Sequence, residues 1–316
     1  MGSLESPKIS RAAAAPQASE ARGLARPTAR IYTLPEGLHG GTNRVPEVGE
    51  SESSRVGGEV PHVLARRPLR LATYNIHKFV GNDGRRDPER ILNVLRELDA
   101  DILCIQEYDA RKTAGLLLNL KDLESEIGCT AHVHPTREVR HGYHGNLILT
   151  RINAHTVGRH DIGRGAAELE KRGMMVADFD VDGLPLRVCN THLALWPAAR
   201  KRQAVRINQL AAPDAGMMVL AGDLNEWLPI GGSRPLFMGR WGAHPSPPTF
   251  PATRPVIGFD QVWVTPRRCL VRLEVHMSPL ARMASDHLPV KATLDFAAGA
   301  AVAVPEPACE PAAVAV

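Results

Sequence analysis

Residues 69–107 run from a strand through a capped helix into a second strand, and this order limits the possible fold more than any other feature. The segments "LRLATYN" (69–75) and "DILCIQE" (101–107) are short and apolar, as buried strands are. Between them, Asp87 stands at an N-cap position, Pro88 at the first helical position, and apolar residues follow at helix spacing. Two strands separated by a helix are typical of an α/β fold.

The remaining predicted elements are joined partly by helices and partly by turns. A second helix, "TAGLLLNLKDLESEIG", ends near Gly128, and a basic helix spans roughly residues 197–212. The segment "MMVADFDVDGLPLRVCNTHLAL" indicates a hairpin that turns at Asp182-Gly183. Further strands are predicted at "AHVHP", "NLILTR", "MMVLAG", 259–265 and 287–296. Because both kinds of connection occur, a mixed-sheet α/β sandwich fits better than a purely parallel sheet.

Composition divides the 316 residues into three segments. Residues 1–66 are rich in Ala, Pro, Gly, Ser and Glu and contain one aromatic residue, Tyr32, so we expect a disordered N-terminal arm. Residues 297–316 have low complexity, and we expect a flexible tail there. The folded domain is therefore predicted to span residues 67–296.

Charge and cysteine content exclude several classes of protein. A formal net charge of +4 suits a phosphate-bearing partner but falls short of the basic stripe of a dedicated DNA-binding protein. The five cysteines are odd in number and widely spaced, so they indicate no disulfide framework, and a reducing cytoplasm is the expected compartment. No apolar run has the length of a membrane span or a signal peptide, so we expect a soluble protein without a transmembrane segment.

Six predicted strands each carry an acid, amide or imidazole at one end. These residues are Asn75, Glu107, His192, Asp223 with Asn225, Asp260, and Asp286 with His287. Each alone is explained by a cap or a turn, but polar groups cost about 1–3 kcal/mol each when buried without partners. Their common placement therefore indicates a shared site. Residues i and i+2 of an extended segment face the same way, so Asp223 and Asn225 are expected to point together into it. Carboxylate and amide oxygens suit Mg²⁺, with Mn²⁺ as a substitute, and two histidines suit acid–base chemistry on a phosphoester.

Seven segments in order resemble the endonuclease/exonuclease/phosphatase superfamily, which includes pancreatic-type deoxyribonucleases, apurinic endonucleases, inositol polyphosphate phosphatases and neutral sphingomyelinases. They are "ATYNIHK", "DILCIQEYD", "GNLILTR", "NTHLAL", "LAGDLNEW", "FDQVWV" and "ASDHLPV". The segment "YNIHKFVGNDGRRDPERI" is most similar to the small bacterial stand-alone hydrolases of this superfamily. The resemblance covers residues 69–296 and implies a four-layer α/β sandwich, with two mixed sheets flanked by helices, as the catalytic domain.

The resemblance also implies a role for each matching residue. Metal binding falls to Asn75, Glu107 and Asp286, and catalysis falls to His192, Asp223, Asn225, Asp260 and His287. Within the second set, Asp223 and Asn225 orient the attacking water and the phosphate or hold a second cation. His287 is the implied general base, paired with Asp260 or Asp286, and His192 donates a hydrogen bond to the transition state. Tyr143, Asn146 and Arg111 are the predicted substrate-binding residues.

The substrate is left open by the sequence. The expected activity is an Mg²⁺-dependent phosphodiesterase reaction on nucleic acid or phospholipid. The alternatives are a phosphomonoesterase for small esters and a non-catalytic phosphate- or nucleic-acid-binding protein, and no obligate protein partner is evident. The basic run Arg200, Lys201, Arg202 and Arg206 fits a solvated helix face better than a phosphate grip.

Overall fold

The computed structural model describes residues 30–31, 67–111, 119–139, 141–164, 171–211, 216–228 and 232–300. Most of the predicted arm (1–66) and tail (297–316) therefore lies outside the described residues. From the arm, Arg30–Ile31 forms the short strand β1. From the tail, Ala297–Ala300 forms a terminal helix, so regular structure extends four residues beyond the predicted domain end.

Twelve strands, six α-helices and two 3₁₀ turns occur in the described residues. The other strands are β2 (Leu69–Asn75), β3 (Ile102–Asp109), β4 (Thr130–Val139), β5 (Gly142–Thr150), β6 (Ala154–Arg164), β7 (Lys171–Val181), β8 (Leu184–His192), β9 (Met217–Asp223), β10 (Asp260–Thr265), β11 (Leu270–Val275) and β12 (Val290–Leu294). The helices are α1 (Pro88–Leu98), α2 (Leu120–Ile127), α3 (Pro197–Leu210), α4 (Arg234–Trp241), α5 (Pro279–Ala284) and α6 (Ala297–Ala300). The 3₁₀ turns are His77–Phe79 and Arg267–Cys269.

The strands form two mixed sheets, as the sequence predicts. The seven-stranded sheet has the order β1-β11-β12-β2-β3-β5-β4, and the five-stranded sheet has the order β10-β9-β8-β7-β6. Each sheet contains one parallel pair, β2 with β3 and β8 with β9, and its other pairs are antiparallel. Among the described residues no helix is both long and apolar enough to cross a bilayer.

Three apolar clusters define four layers. One cluster fills the space between the sheets, with Leu71 and Cys104 from one sheet facing Val188 and Val219 from the other. A second cluster packs α1, α2 and α5 on the outer face of the seven-stranded sheet. A third packs α3 and α4 on the outer face of the five-stranded sheet. The predicted four-layer α/β sandwich is confirmed.

Local sequence signals explain several element boundaries. Asp87 accepts a hydrogen bond from Arg90 N at the start of α1, and Pro88 follows at the first turn, as predicted. Gly128 ends α2 in the left-handed region with φ 65°. The predicted hairpin turns at Asp182 and Gly183, which both have positive φ, between β7 and β8. Residues 112–118, where the second helix was predicted to begin, lie outside the described residues.

Within residues 67–296, four strands or α-helices have no counterpart in the sequence prediction: β6, α4, β11 and α5. The edge strand β6 buries only Ile162, so its sequence lacks the alternation by which a strand is recognised. The predicted strand 287–296 was wrong at its start, because β12 begins only at Val290. The residues before it bend away from the sheet, and this bend belongs to the site described next.

Candidate active site

Three strands of the five-stranded sheet bring polar side chains to one line across its edge. The parallel register of β8 and β9 pairs His192 with Asp223, and the antiparallel register of β9 and β10 pairs Asp223 with Asp260. Gly222 makes the close approach of β9 possible. Its φ is 152°, and a Cβ there would lie 1.9 Å from the carbonyl oxygen of Thr191.

A turn after β9 brings Asn225 back to the same place. Asp223 Oδ1 accepts a hydrogen bond from Asn225 N at 2.9 Å, and Asn225 has a φ of 48°. The side-chain nitrogen Nδ2 of Asn225 lies 3.1 Å from His192 Nε2 and donates to the carbonyl of Leu193 at 2.9 Å. Asp223 and Asn225 therefore share a site through a side-chain-capped turn, whereas an extended segment was expected to place them there.

The bend before β12 turns His287 into the cluster. The hydroxyl of Ser285 donates to the carbonyl of Asn75 at 2.8 Å and accepts a bond from His287 N at 3.2 Å. His287 Nδ1 lies 2.8 Å from Asp260 Oδ2, and its Nε2 lies 3.7 Å from Asp223 Oδ2. Of the two partners proposed for His287, the structure therefore places Asp260 in contact with the imidazole.

Asn75 and Glu107 connect this cluster to the seven-stranded sheet. Asn75 Nδ2 donates to Asp223 Oδ2 at 2.9 Å. Glu107 Oε1 lies 3.9 Å from His192 Nδ1, and Glu107 Oε2 lies 3.3 Å from Lys78 Nζ. A continuous chain of polar contacts therefore runs from Asp260 on one sheet to Glu107 on the other.

Asp286 lies at the more open side of the site. Its side chain is 31% exposed, and its Oδ1 lies 3.5 Å from His77 Nδ1. The turn His77–Phe79 supplies basic partners to both partly exposed acids. Lys78 contacts Glu107, and His77 contacts Asp286. All three residues of the turn have positive φ (43°, 54° and 67°), a backbone conformation that residues other than glycine rarely adopt. Such strain clusters at functional sites.

Burial and neighbouring charges shift the pKa values of the cluster in different directions. Burial lowers the pKa of His192 well below its ordinary value, and burial raises the pKa of Asp223 to about 6. Burial alone would also lower the pKa of His287, but the carboxylates of Asp260 and Asp223 outweigh it and raise that pKa to about 10. Burial opposes ionisation of Glu107, yet neighbouring basic side chains lower its pKa to about 2. The site thus combines a neutral and a protonated imidazole with an ionised carboxylate.

The ligand atoms that the predicted metal site offers suit a hard divalent cation, and the one oxygen of the Asn75 side chain also accepts a hydrogen bond from His77 N at 3.0 Å. Asn75, Glu107 and Asp286 offer only oxygen ligands, and Glu107 stays ionised because of its low pKa. A second group, Asp223, Asp260 and His287, has potential ligand atoms within 4.8 Å of one another. There, however, His287 Nδ1 and Asp260 Oδ2 already hydrogen-bond each other, which leaves them less available to a metal.

A cleft opens beside His192, and only one of the three predicted substrate-binding residues lines it. Its walls are Lys78, Glu107, Thr136, His144, Gly145, Asn146, Arg172, Gly173 and His192. Tyr143 belongs to the opposite face of β5, where its ring packs 6.1 Å from that of Tyr108. Arg111 is held by Asp109 through bonds of 2.7–3.0 Å. The structure therefore brings Asn146 to the cleft and leaves Tyr143 and Arg111 outside its walls.

Four polar residues of this cleft were not predicted from the sequence to line it: Lys78, Thr136, His144 and Arg172. Lys78 follows Asn75 in "NIHK", so proximity to a predicted ligand was an available signal. Arg172 carries no such signal, because its position depends on how β7 of one sheet approaches β4 and β5 of the other.

A buried ion pair links the two loops that follow β8 and β9. Arg200 and Glu226 are 3% and 1% exposed, and Arg200 Nε lies 3.4 Å from Glu226 Oε2. Arg200 also donates to the carbonyl of Leu195, while Glu226 accepts from Ser233 N at 2.8 Å. One member of the predicted basic face is therefore internal, since Arg200 points into the protein and joins the loops that carry His192 and Asn225.

Comparison with known proteins agrees with this architecture. The chain matches the sequence pattern of the Endonuclease/Exonuclease/phosphatase family over residues 72–287. No curated protein matches the chain in sequence. An endonuclease/exonuclease/phosphatase from Beutenbergia cavernae superposes with a TM-score of 0.59 at 24% identity, covering 72% of each chain.

Two further structures share the fold at lower identity. A mannosyl-6-phosphatase from Bacteroides thetaiotaomicron has a TM-score of 0.58 at 20% identity and covers 72% of this chain and 100% of its own. The human Nocturnin catalytic domain, which was solved with a bound sulfate, has a TM-score of 0.57 at 16% identity and covers 72% and 93%. The family match spans more than half of the 316 residues. The chain belongs to the Endonuclease/Exonuclease/phosphatase family, whose members hydrolyse phosphoesters.

Proposed function

We propose that the protein is a metal-dependent phosphodiesterase that cleaves its substrate by in-line attack of water on phosphorus. One observation carries the proposal: the buried carboxylate of Asp223 is contacted at once by Asn75, His192 and His287, which come from three distant chain segments. A buried carboxylate with partners on every side is a costly arrangement for a scaffold, and it is suited to a positioned proton acceptor.

The proton of the attacking water passes to the carboxylate of Asp223. His287 stands between Asp260 on Nδ1 and Asp223 near Nε2, so two carboxylates fix the orientation of its ring. Asn225 orients the water and the phosphate beside Asp223. His192 hydrogen-bonds the phosphoryl oxygen on which negative charge develops.

Asn75, Glu107 and Asp286 are the proposed metal ligands. A bound Mg²⁺ supplies positive charge against the negative charge that grows on the phosphoryl oxygens. Glu107 and Asp286 are partly exposed, so a hydrated cation and a phosphate can both reach them. Lys78 and Arg172 add fixed positive charge to the cleft wall and favour an anionic substrate.

The test is hydrolysis of bis-p-nitrophenyl phosphate by the purified full chain. We expect activity with Mg²⁺, loss in excess chelator, and recovery when Mg²⁺ or Mn²⁺ is added back. p-Nitrophenyl phosphate, a monoester, is assayed in parallel, and faster cleavage of the monoester would overturn the assignment as a diesterase. Undiminished activity in chelator would overturn the metal requirement.

Metal binding can be measured apart from catalysis. Glu107→Gln removes one anionic ligand, and we expect Mn²⁺ affinity by calorimetry to fall roughly 10- to 100-fold, the range typical when metal sites lose a supporting carboxylate. The matched control is Glu89→Gln, at an acid that lies on α1 and is 67% exposed. Equal Mn²⁺ affinity in the Glu107 variant and the control would remove Glu107 from the metal site.

A further inference from the structure

The four tryptophans of the chain fall into two pairs with opposite environments. Trp241 and Trp263 are each 1% exposed and belong to the apolar cluster under α3 and α4. Trp196 and Trp227 are each 55% exposed. The same protein buries two of its tryptophans and exposes the other two. Exposed large apolar side chains that lie together indicate an interaction surface.

Both exposed tryptophans lie next to the catalytic strand ends. Trp196 follows His192 by four residues and Trp227 follows Asn225 by two, and four residues of extended chain span at most about 14 Å. Arg200 holds the two loops together, because it bonds the carbonyl of Leu195 and pairs with Glu226. Trp196 follows Leu195 and Trp227 follows Glu226, so the two tryptophans lie on two loops that Arg200 joins.

The exposed face of α3, which begins directly after Trp196, adds positively charged side chains to this surface. Lys201, Arg202, Val205 and Arg206 are exposed at helix spacing, and the sequence of α3 contains no acidic residue. Leu195 is 64% exposed and Val205 is 46% exposed, so aliphatic side chains accompany the tryptophans and the cations. Tryptophan and leucine beside lysine and arginine form the composition that binds at the boundary between lipid headgroups and acyl chains.

We propose that this docking rim, formed by Leu195, Trp196, Lys201, Arg202, Val205 and Trp227, binds the surface of an anionic phospholipid bilayer. The substrate class is then a phospholipid phosphodiester, presented to the cleft at the membrane surface. The substrate assignment rests on the proposed phosphodiesterase function, whereas the membrane contact does not. Trp196, Trp227 and Leu195 enter the headgroup layer, and Lys201 and Arg202 pair with anionic headgroups.

The aliphatic residues favour a bilayer over a nucleic acid. Single-stranded nucleic acids also use aromatic side chains and cations, but each base is held by stacking on an aromatic face. Leu195 and Val205 have no such face and are stabilised mainly by leaving water. Leu195 is more exposed than either exposed tryptophan, so the apolar part of the rim is not built for stacking alone.

The experiment uses the intrinsic fluorescence of the full chain with phosphatidylcholine vesicles that contain or lack phosphatidylglycerol. We expect a blue shift with the anionic vesicles, weaker binding at high salt, and quenching by lipids brominated in the acyl chains. Only Trp196 and Trp227 are positioned to respond, because Trp241 and Trp263 are already buried. A lack of blue shift with anionic vesicles would overturn the proposal.

Two variants make the test specific. We expect Trp196→Ser combined with Trp227→Ser to lower vesicle affinity at least tenfold in a sedimentation assay, while the emission of the buried tryptophans reports an intact fold. The matched control is Val256→Ser, at a valine that is 68% exposed outside the rim, and it is expected to bind as the wild type does. Unchanged binding in the double variant would overturn the proposal and assign the contact to another part of the chain.

Two further readouts separate this proposal from the proposed function. Quenching of the exposed tryptophans by oligothymidylate, with no response to vesicles, would identify the rim as a nucleic-acid surface instead. Hydrolysis of soluble bis-p-nitrophenyl phosphate is expected to be unchanged in the tryptophan double variant. If the vesicles bind but no diester is cleaved, the proposed function fails and the docking rim stands. If soluble diester is cleaved but phospholipid in bound vesicles is not, the substrate assignment fails.

Discussion

The two sheets contribute unequal halves to the site. The five-stranded half supplies His192, Asp223 and Asp260, which are 8%, 1% and 0% exposed. The seven-stranded half and the bend before β12 supply Glu107 and Asp286, whose side chains are 21% and 31% exposed. The buried side chains bond to one another and to the backbone. The two partly exposed acids pair instead with Lys78 and His77, which belong to one short turn.

This difference separates two tasks that a hydrolase of this kind performs. Groups that transfer protons need fixed geometry, and burial with mutual hydrogen bonds supplies it. Groups that take up a cation and a phosphate must exchange their partners, and partly exposed acids that pair only with side chains of one short turn permit that exchange. Activity lost by a substitution in the buried half is therefore expected not to return when Mg²⁺ is added. Activity lost by a substitution in the open half is expected to return.

The largest effect is expected in the buried half, to which His287 belongs by its contacts with Asp260 and Asp223, although the bend before β12 carries it. His287→Ala removes the imidazole between Asp260 and Asp223, and we expect kcat to fall roughly 10³-fold, within the range for loss of an acid–base group. Asp286→Asn, in the open half, is expected to lose activity that rises again with Mg²⁺ concentration. Steady-state kinetics at several Mg²⁺ concentrations checks both. His155→Ala, at an exposed histidine on β6, is the control, and rescue of His287→Ala by Mg²⁺ would erase the distinction between the halves.

The second prediction compares one cation from each half by its effect on stability. Arg200→Met leaves the buried side chain of Glu226 without Arg200, and removal of one partner from a buried pair costs about 3–5 kcal/mol. Lys78→Met removes a cation that is 39% exposed, and we expect a loss of under about 1 kcal/mol. Urea unfolding measures both free energies. Equal losses would mean that the two halves are held with similar strength.

At acid pH one buried histidine, His244, is expected to weaken the five-stranded half. His244 is 4% exposed, and its Nε2 accepts a hydrogen bond from Val264 N on β10, the strand that carries Asp260. Burial lowers the pKa of His244 to about 4 from 6.5. The unfolded chain therefore takes up this proton at a higher pH than the folded chain does. The contribution is present above pH 6.5 and is lost as the pH falls through 4, by up to roughly 3 kcal/mol.

His244→Gln removes this titration and keeps an acceptor for Val264 N. We expect the difference in unfolding free energy between wild type and variant to change sharply between pH 6.5 and 4 and to be flat above pH 6.5. His155→Gln, at an exposed histidine on β6, is the matched control. A flat difference for the His244 variant would show that the pKa of His244 is ordinary in the folded protein.

The sequence predicted the buried half better than the open half, for a physical reason. His192, Asp223 and Asp260 stand at ends of apolar strands, and strand pairing alone brings such ends together. The approach of Asn225 and His287 depends on turns after β9 and before β12. Those turns are visible in the sequence only as polar residues, which is why the extended geometry assumed for residues 223–225 was wrong.

The open half depends on contacts that no local pattern encodes. Arg172 reaches the cleft because β7 of one sheet lies against β4 and β5 of the other, and no spacing in the sequence reports that packing. Tyr143 and Asn146 are three residues apart on β5, so strand alternation places them on opposite faces, and the structure has Tyr143 packed on Tyr108 and Asn146 at the cleft. Which of the two faces the cleft depends on how the two sheets pack.

The smallest effects are expected for the two predicted substrate residues that lie outside the cleft walls. The Arg111 guanidinium is held by Asp109 with three bonds of 2.7–3.0 Å, and Tyr143 packs on Tyr108 behind the strand. Arg111→Ala and Tyr143→Phe should therefore each change kcat/KM for bis-p-nitrophenyl phosphate by less than about threefold, or under about 0.7 kcal/mol.

Asn146→Ala is the matched positive variant, because Asn146 lines the cleft and donates to the carbonyl of Gly173 at 3.2 Å. We expect its kcat/KM to fall roughly tenfold, or about 1.4 kcal/mol, the scale of one lost hydrogen bond at the reacting group. If Arg111→Ala instead lowered kcat/KM more than Asn146→Ala did, Arg111 would have to leave Asp109 when substrate binds. The open half would then include Arg111, beyond the end of β3. Its extent would be set by which residues contact the substrate, and solvent exposure in the free protein would not define it.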